Sequence, residues 1–322
     1  MGYENKKVLI VRFSSLGDVI IANYSVKKIK EKNPHWHITW LVDSMYLDIV
    51  KSQPWVDDVI GWDRRNERNR GFINTLKDVR SRGFDVLIDM HNTDRSSFFS
   101  FFSNIPERYV ERYRLPFAHN IHSFDKIINL KEKLTDCSSY LHVSEKHSAI
   151  SDYFRDGKNN KRLTLAIGAS YKNKRWPVHR WIEFCKSAIE VGFVLYLVGD
   201  GRDEITEAAE IVSSVNSENL VDLVGKMSLI ELIQTVNKTD ATISGDTGVL
   251  HIARALGKNI IGLFGPNVLP DDYMSSLTKT FFSNCPDLGC RNWKCSKPCL
   301  ETIEVPAVLN SVKMIMERSD FA

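Results

Sequence analysis

Short all-apolar runs alternate with stretches whose apolar residues recur every three or four positions. Val8–Arg12 is apolar up to its closing charge. Asp18–Glu31 follows it, with Val19, Ala22, Val26 and Ile29 on one helical face. The same alternation predicts strands at Ile38–Val42, Val59–Trp62 and Asp85–Asp89, helices through Asn74–Ser81 and Asp94–Phe102, and a short edge strand at Tyr109–Glu111. Strand–helix–strand order of this kind makes a parallel sheet with helices on both faces. The order breaks between Leu115 and Ser151, a segment holding Pro116, His119, His122, His142, His147 and a predicted helix at Ser123–Leu134. The polar run Gly157-Lys158-Asn159-Asn160-Lys161 then reads as a linker.

A second series follows. Strands are predicted at Leu163–Ile167, Phe193–Val198, Ala241–Ser244 and Asn259–Phe264, with an edge strand at Leu220–Asp222. Helices fall at Arg180–Val191, Asp203–Val215, Ser228–Asn237 and Thr247–Leu256. The third of these opens with a capping box, Ser228 to Glu231. Thr302–Arg318 closes the chain as a helix, with Pro306 in its first turn and Val308, Val312, Ile315 and Met316 in one stripe. The expected architecture is α/β, with two Rossmann-like domains at residues 1–156 and 157–322. Open parallel sheets take ligands beyond the carboxyl ends of their strands, so two such edges facing across a cleft suit a two-substrate site.

Composition narrows the function classes. The 322 residues are 43% hydrophobic, and Lys+Arg 43 against Asp+Glu 40 leaves a net charge of +3. That excludes a disordered chain and gives no whole-chain pull toward nucleic acid. No apolar stretch approaches the roughly 18 residues of a membrane span, and the first apolar run is too short for a secretory signal. A cytoplasmic protein is expected.

Four strand-to-helix turns carry candidate chemistry. Arg12-Phe13-Ser14-Ser15-Leu16-Gly17-Asp18 places a carboxylate at a helix start, where it serves either as a cap or as a base on a cleft rim. Lys172-Asn173-Lys174-Arg175-Trp176-Pro177 groups three cations beside a strand end, either as a solvated loop or as a diphosphate contact. Val198-Gly199-Asp200-Gly201-Arg202-Asp203-Glu204 is either an ordinary turn or a close approach of backbone to ligand, with an acid for sugar hydroxyls. Ser244-Gly245-Asp246-Thr247-Gly248, leading to His251, ends a strand on a helix whose first N–H groups form an anion site. No strand is followed by Gly-x-Gly-x-x-Gly, which disfavours a dehydrogenase.

Ser-Ser-Leu-Gly-Asp at the start, Lys-x-Trp-Pro in mid-chain, Asp-Thr-Gly-x-x-His-x-Ala and then Leu-Phe-Gly-Pro together resemble the glycosyltransferase family 9 heptosyltransferases of lipopolysaccharide inner-core assembly. The resemblance runs from about Val8 to about Val312. It implies a GT-B fold and an inverting transfer of heptose from ADP-heptose to an acceptor hydroxyl. It implies Asp18 as the catalytic base and Lys174 as a contact to the donor phosphates. Asp246, Thr247, Gly248 and His251 are implied at the diphosphate and heptose, and Glu204 or Asp203 near the nucleotide ribose. Asp89, Asn92 and Arg95 resemble an acceptor-side stretch, and the final helix of relatives often packs back on the first domain. The family's apolar-Pro after the first helix start is replaced here by Asn23-Tyr24-Ser25. No Asp-x-Asp stands in a metal-binding context, so no cofactor is expected for catalysis.

Cys285-x4-Cys290-x4-Cys295-x3-Cys299 is open to a structural zinc or iron, to free thiols or, less readily in a reducing compartment, to disulfides. Cys137 and Cys185 read as ordinary buried residues, and no histidine reads as a metal ligand. Arg64, Arg65, Arg68 and Arg70 are either a solvated loop or a contact for an anionic acceptor. The expected partners are ADP-heptose and a lipopolysaccharide core or other glycan or protein acceptor, with peripheral contact to the inner membrane. The competing readings are a protein or other-glycan glycosyltransferase, a nucleotide-sugar epimerase of the same fold, and a non-catalytic nucleotide-sugar-binding module.

Overall fold

The computed structural model describes residues 5–63, 66, 68–110, 121–122, 139–143, 153–154, 161–267, 277–292 and 294–319. Arg64, Arg65, His119, the predicted helix at Ser123–Leu134, Cys137, His147 and the linker residues 157–160 lie outside them. The chain divides into two compact units, Met1–Lys133 with Tyr140–His142, and Leu134–Ser139 with Val143–Ala322.

In the first unit the strands are β1 (Lys7–Val11), β2 (His37–Asp43), β3 (Asp58–Trp62), β4 (Val86–Asp89), β5 (Glu107–Val110) and β6 (Ile121–His122). The helices are α1 (Leu16–Lys32), α2 (Leu47–Lys51), α3 (Arg68–Arg82) and α4 (Asp94–Phe102). All strand pairs are parallel, in the order β3-β2-β1-β4-β5-β6. Because β1 is flanked on both sides, its residues Val8 to Val11 are fully buried, which is why this strand reads as a continuous apolar run. Phe13, Trp62 and Phe99 pack edge-to-face beneath the sheet. The strand predicted at Tyr109–Glu111 is β5, and it is not an edge, since β6 pairs outside it.

The second unit repeats the plan. Its strands are β7 (Arg162–Ala166), β8 (Val194–Val198), β9 (Leu220–Asp222), β10 (Ala241–Gly245), β11 (Asn259–Phe264) and β12 (Thr278–Phe282). Its helices are α5 (Val178–Glu190), α6 (Arg202–Val215), α7 (Leu229–Lys238), α8 (Gly248–Ala255) and α9 (Val305–Ser319). The order is β12-β11-β10-β7-β8-β9, again parallel. The predicted box at α7 forms, with Ser228 Oγ accepting from the Glu231 N–H. Periodicity missed β12, a half-exposed strand that buries no residue fully and so lacks an alternating signature. Trp181 and Phe184 of α5 and Val308 and Val312 of α9 belong to the core of this unit. The apolar stripe of the closing helix is therefore used within the second unit.

Candidate functional site

A doubly wound sheet has a crevice where the strand order reverses, beyond the carboxyl ends of the two strands concerned. In the first unit those strands are β1 and β4. Arg12 leaves the end of β1 and crosses the crevice, its Nη1 donating to Met90 O just past β4 at 2.5 Å. Its Nη2 lies 2.6 Å from Asp18 Oδ2. Asp18 is in the first turn of α1, and the Ser15 N–H and Oγ both donate to the same Oδ2 at 3.0 Å. Cap and candidate base are thus one side chain, 46% exposed. Partial burial works against its ionisation, but the Arg12 charge and the Ser15 hydrogen bonds outweigh that and hold the carboxyl below the usual range.

Asp89 ends β4 in the same crevice and is 1% exposed. Its Oδ1 accepts from the His91 and Asn92 N–H groups at 2.9 and 3.1 Å, in a turn where Asn92 takes φ 53°. Burial pushes this carboxyl up, against hydrogen bonds from Ser96, Asn92 and His91 and the charge of Arg12. One guanidinium therefore faces two acids of unlike character, one solvated and one buried.

In the second unit the reversal lies between β7 and β10. Lys174 sits on a single 3-10 turn, Lys172–Lys174, after β7, and Asp246 follows β10. Lys174 Nζ donates to Asp246 Oδ2 at 2.7 Å, and Asn267 Nδ2, past the end of β11, donates to the same oxygen at 2.7 Å. His251 Nε2 is 3.9 Å from Asp246 Oδ1. Burial opposes the Asp246 charge, yet these partners keep its pKa below the usual range. The loops meet so closely that a Cβ on Gly245 would stand 2.9 Å from Lys174 O. Thr247 is the N-cap of α8, but its Oγ1 turns to Ser244 Oγ at 2.9 Å and makes no cap bond. No acid occupies the first turn of α8. Its leading N–H groups, starting at Gly248, are left for an anion.

Glu204 is nearly buried, and Oε2 accepts from the Asp200 and Gly201 N–H groups at 2.8 and 3.2 Å. A Cβ on Gly168 or Gly199 would collide with its carboxylate, at 2.2 and 2.5 Å from Oε2. Arg175 lies 3.6 Å from Glu204, 3.8 Å from Asp203 and 3.2 Å from Glu207, and its Nε donates to Ala169 O at 2.9 Å. Glu204 and Arg175 thus tie the turn after β7 to the turn after β8, while Asp203 stays exposed at 58%. The sequence placed Lys174, Glu204, Asp246, Thr247, Gly248 and His251 in one region, and the structure brings them to the carboxyl edge of one sheet. It adds Asn267, and in the first unit Arg12 gains a specific role. The signal for Arg12 was a charge that terminates an otherwise apolar strand.

The late cysteines gather in a chain of tight turns between β12 and α9. Cys299 is buried, with Cys285 beside it. Burial, then the charges of Cys285, Cys295 and Cys290, push its thiol up. The Asn292 N–H donates to Cys290 Sγ at 3.4 Å. Among the described residues, however, no three His, Cys, Asp or Glu side chains stand arranged to share a metal ion. Cys185 is buried, which raises its thiol to about 12 and fits an inert core residue.

The profile of Glycosyltransferase family 9 (heptosyltransferase) matches residues 73–270. Lipopolysaccharide heptosyltransferase 1 of Campylobacter coli is 24% identical, over 95% of this chain and 98% of its own. The crystal structure of a family 9 glycosyltransferase from Veillonella parvula superposes with a TM-score of 0.82 at 20% identity, covering 99% of both chains. The E. coli heptosyltransferase WaaC with ADP-2-deoxy-2-fluoro heptose gives 0.70 at 18% identity, covering 97% of this chain and 99% of its own. The two parallel sheets are those of a GT-B fold, and this chain belongs to glycosyltransferase family 9, the heptosyltransferases.

Proposed function

We propose that the protein transfers heptose from ADP-heptose to a hydroxyl of a lipopolysaccharide inner-core acceptor, with inversion at the anomeric carbon. The observation that carries this reading is the pair of crevices: an ionised, half-exposed carboxylate in one, and in the other a lysine beside an uncapped helix N-terminus. The names of the relatives support the substrate class, since one is solved with an ADP-heptose analogue and another is a lipopolysaccharide heptosyltransferase.

The chemistry follows from these groups. The donor diphosphate lies against Lys174 and the first N–H groups of α8, which stabilise the charge that grows as the bond from anomeric carbon to phosphate oxygen breaks. The acceptor oxygen attacks that carbon from the opposite face, its proton passes to Asp18, and ADP leaves with the bonding electron pair. Asp18 carries no proton at neutral pH because Arg12 favours its charged form, so it is ready to accept one. Asp246 orients Lys174, and Asp203, the exposed acid of its turn, is better placed than Glu204 to meet ribose hydroxyls, because Glu204 already serves two N–H groups. The late cysteines are read as free thiols that take no part in transfer, since no three such side chains among the described residues stand arranged to share a metal ion.

The direct test is incubation with ADP-heptose and a panel of core-oligosaccharide acceptors, following ADP release; absence of release with every acceptor sinks the reading. Asp18→Asn is expected to abolish transfer with little change in donor affinity. Lys174→Ala removes a charge-assisted contact to phosphate and should weaken ADP binding by about 1.5–3 kcal/mol, roughly 10- to 100-fold. Unchanged ADP titrations in that variant would remove Lys174 from the site.

Arg12 sets a pH dependence. It lowers the Asp18 pKa, so its loss raises that pKa and keeps the proton on Asp18 to higher pH. The acid limb of kcat in Arg12→Gln should therefore move to higher pH while the wild-type limb stays below it. Superimposable profiles would separate Arg12 from the base.

Protein groups supply the positive charge at the diphosphate, so transfer should keep its rate in EDTA over the course of a rate measurement. Collapse of the rate with recovery on Mg²⁺ alone would overturn this. For the cysteines, elemental analysis should find no stoichiometric zinc or iron, and Cys290→Ser or Cys295→Ser should leave Tm unchanged. About one metal ion per chain, with Tm lowered in either variant, would make them a structural metal site instead.

A further inference from the structure

Helix α4 is built inside out. Its nine residues, Asp-Arg-Ser-Ser-Phe-Phe-Ser-Phe-Phe, bury Ser96, Ser97 and Ser100 with only one aromatic, Phe99. The other three aromatics point to solvent, Phe98 at 49%, Phe101 at 42% and Phe102 at 44% exposure. A surface helix with no partner normally does the reverse. The exposed rings are also organised: Phe98 and Phe102 stack at 6.3 Å and 8°, and Phe101 meets Phe102 edge-on at 5.2 Å.

Cations surround this cluster for a physical reason. The carbonyls at the C-terminal end of α4 lack helical partners and carry partial negative charge. Arg80 of α3 donates through Nε to Phe102 O at 2.7 Å, and Arg108 of β5 donates through Nη1 to Ser100 O at 3.3 Å. The two guanidinium groups are thereby fixed to the backbone that carries the rings. Helix α3 extends the surface: Ile73, 52% exposed, shares a face at i, i+4 and i+7 with exposed Lys77 and Arg80. Among the acids here, Asp78 is held by Arg82 at 3.0 Å and Glu107 by Lys6 at 2.7 Å. Asp94 is exposed at the opposite, N-terminal end of α4.

We infer that the Phe98–Phe101–Phe102 face of α4, with Lys77, Arg80 and Arg108 at its border, docks on an anionic lipid bilayer. Aromatic rings enter the boundary between headgroups and acyl chains, and the arginines and lysine meet lipid phosphates at the surface. A second copy of the chain is a poorer occupant, because a symmetric contact would set this cationic border against itself. No helix among the described residues is long and apolar enough to cross a membrane, so the attachment is peripheral. The inference is compatible with a lipid-borne acceptor but does not rest on it, and its test uses neither donor nor acceptor.

The test is co-sedimentation of the full chain with vesicles of phosphatidylethanolamine and phosphatidylglycerol, against vesicles of phosphatidylcholine alone. Binding is expected to the anionic vesicles, at least 10-fold weaker on phosphatidylcholine and reduced by high salt. The Phe101→Ser/Phe102→Ser pair and, separately, the Lys77→Gln/Arg80→Gln pair should each lower it by 10-fold or more. Both pairs are on the surface, and Tm and near-UV circular dichroism should be unchanged in them, which separates lost docking from lost folding. No binding by the wild-type chain, or binding indifferent to the serine pair, overturns the inference. So does sedimentation equilibrium showing a wild-type dimer that the serine pair dissociates, since that outcome would give the face to a second copy.

Discussion

A sheet that grows outward in both directions from its first strand leaves a gap at the reversal, and the two loops lining that gap share no ladder hydrogen bonds. Beyond the last ladder bond, which in the first sheet runs from the Met90 N–H to Val11 O at 2.9 Å, side chains must tie them together. In this protein a cation does so in each sheet. Arg12 joins the end of β1 to Met90 past β4, and Lys174, after β7, is bound to Asp246 after β10. Each cation also grips a carboxylate in its own crevice, so the element that closes the fold also sets the charge state of the site. A sheet wound in one direction only would have no such gap and no reason to place these residues together.

The low exposure of the second pair decides what it contributes. Lys174 and Asp246 are 13% and 15% exposed. Charges so placed lose much of their hydration, and the ion pair with its added hydrogen bond from Asn267 recovers it. Such an arrangement contributes less to net stability than to geometry. Removing one member leaves the other charged and poorly solvated. Glu204 follows the same rule. It fits only because Gly168, Gly199 and Gly201 leave a pocket for its carboxylate, and it holds Arg175 across two turns.

Sequence alone made much of this legible, and the reasons are local. Buried parallel strands such as β1, β8 and β11 read as unbroken apolar runs, and α7 announced its start through Ser228 and Glu231. The acids and glycines at the turns were legible because each must lie where a strand meets a helix. What stayed hidden was relational. Nothing in the sequence says that Lys174 and Asp246, 72 residues apart, share a hydrogen bond, or that Glu204 is consumed by its own turn. Periodicity placed α4 within its observed limits but could not say which of its faces is buried, because its serines take the buried face and three of its four phenylalanines the exposed one. β12 escaped because an outer strand with half-exposed side chains has neither alternation nor a solid apolar run.

The two crevices use one structural device with opposite electrostatic sign. Each has a strand, a tight turn and the N-terminus of a helix, whose unpaired N–H groups attract negative charge. In α1 that demand is met from within: Asp18 lies in the first turn and bonds back to Ser15, so an external anion finds the position taken. In α8 the first turn holds no acid, the Thr247 hydroxyl is turned to Ser244, and Asp246 is turned to Lys174 and Asn267. The first arrangement meets its own demand for negative charge and keeps its carboxylate ionised. The second leaves backbone donors open beside a lysine. Two sheets of one plan thus acquire opposite electrostatic character through the placement of a single carboxylate relative to each helix start.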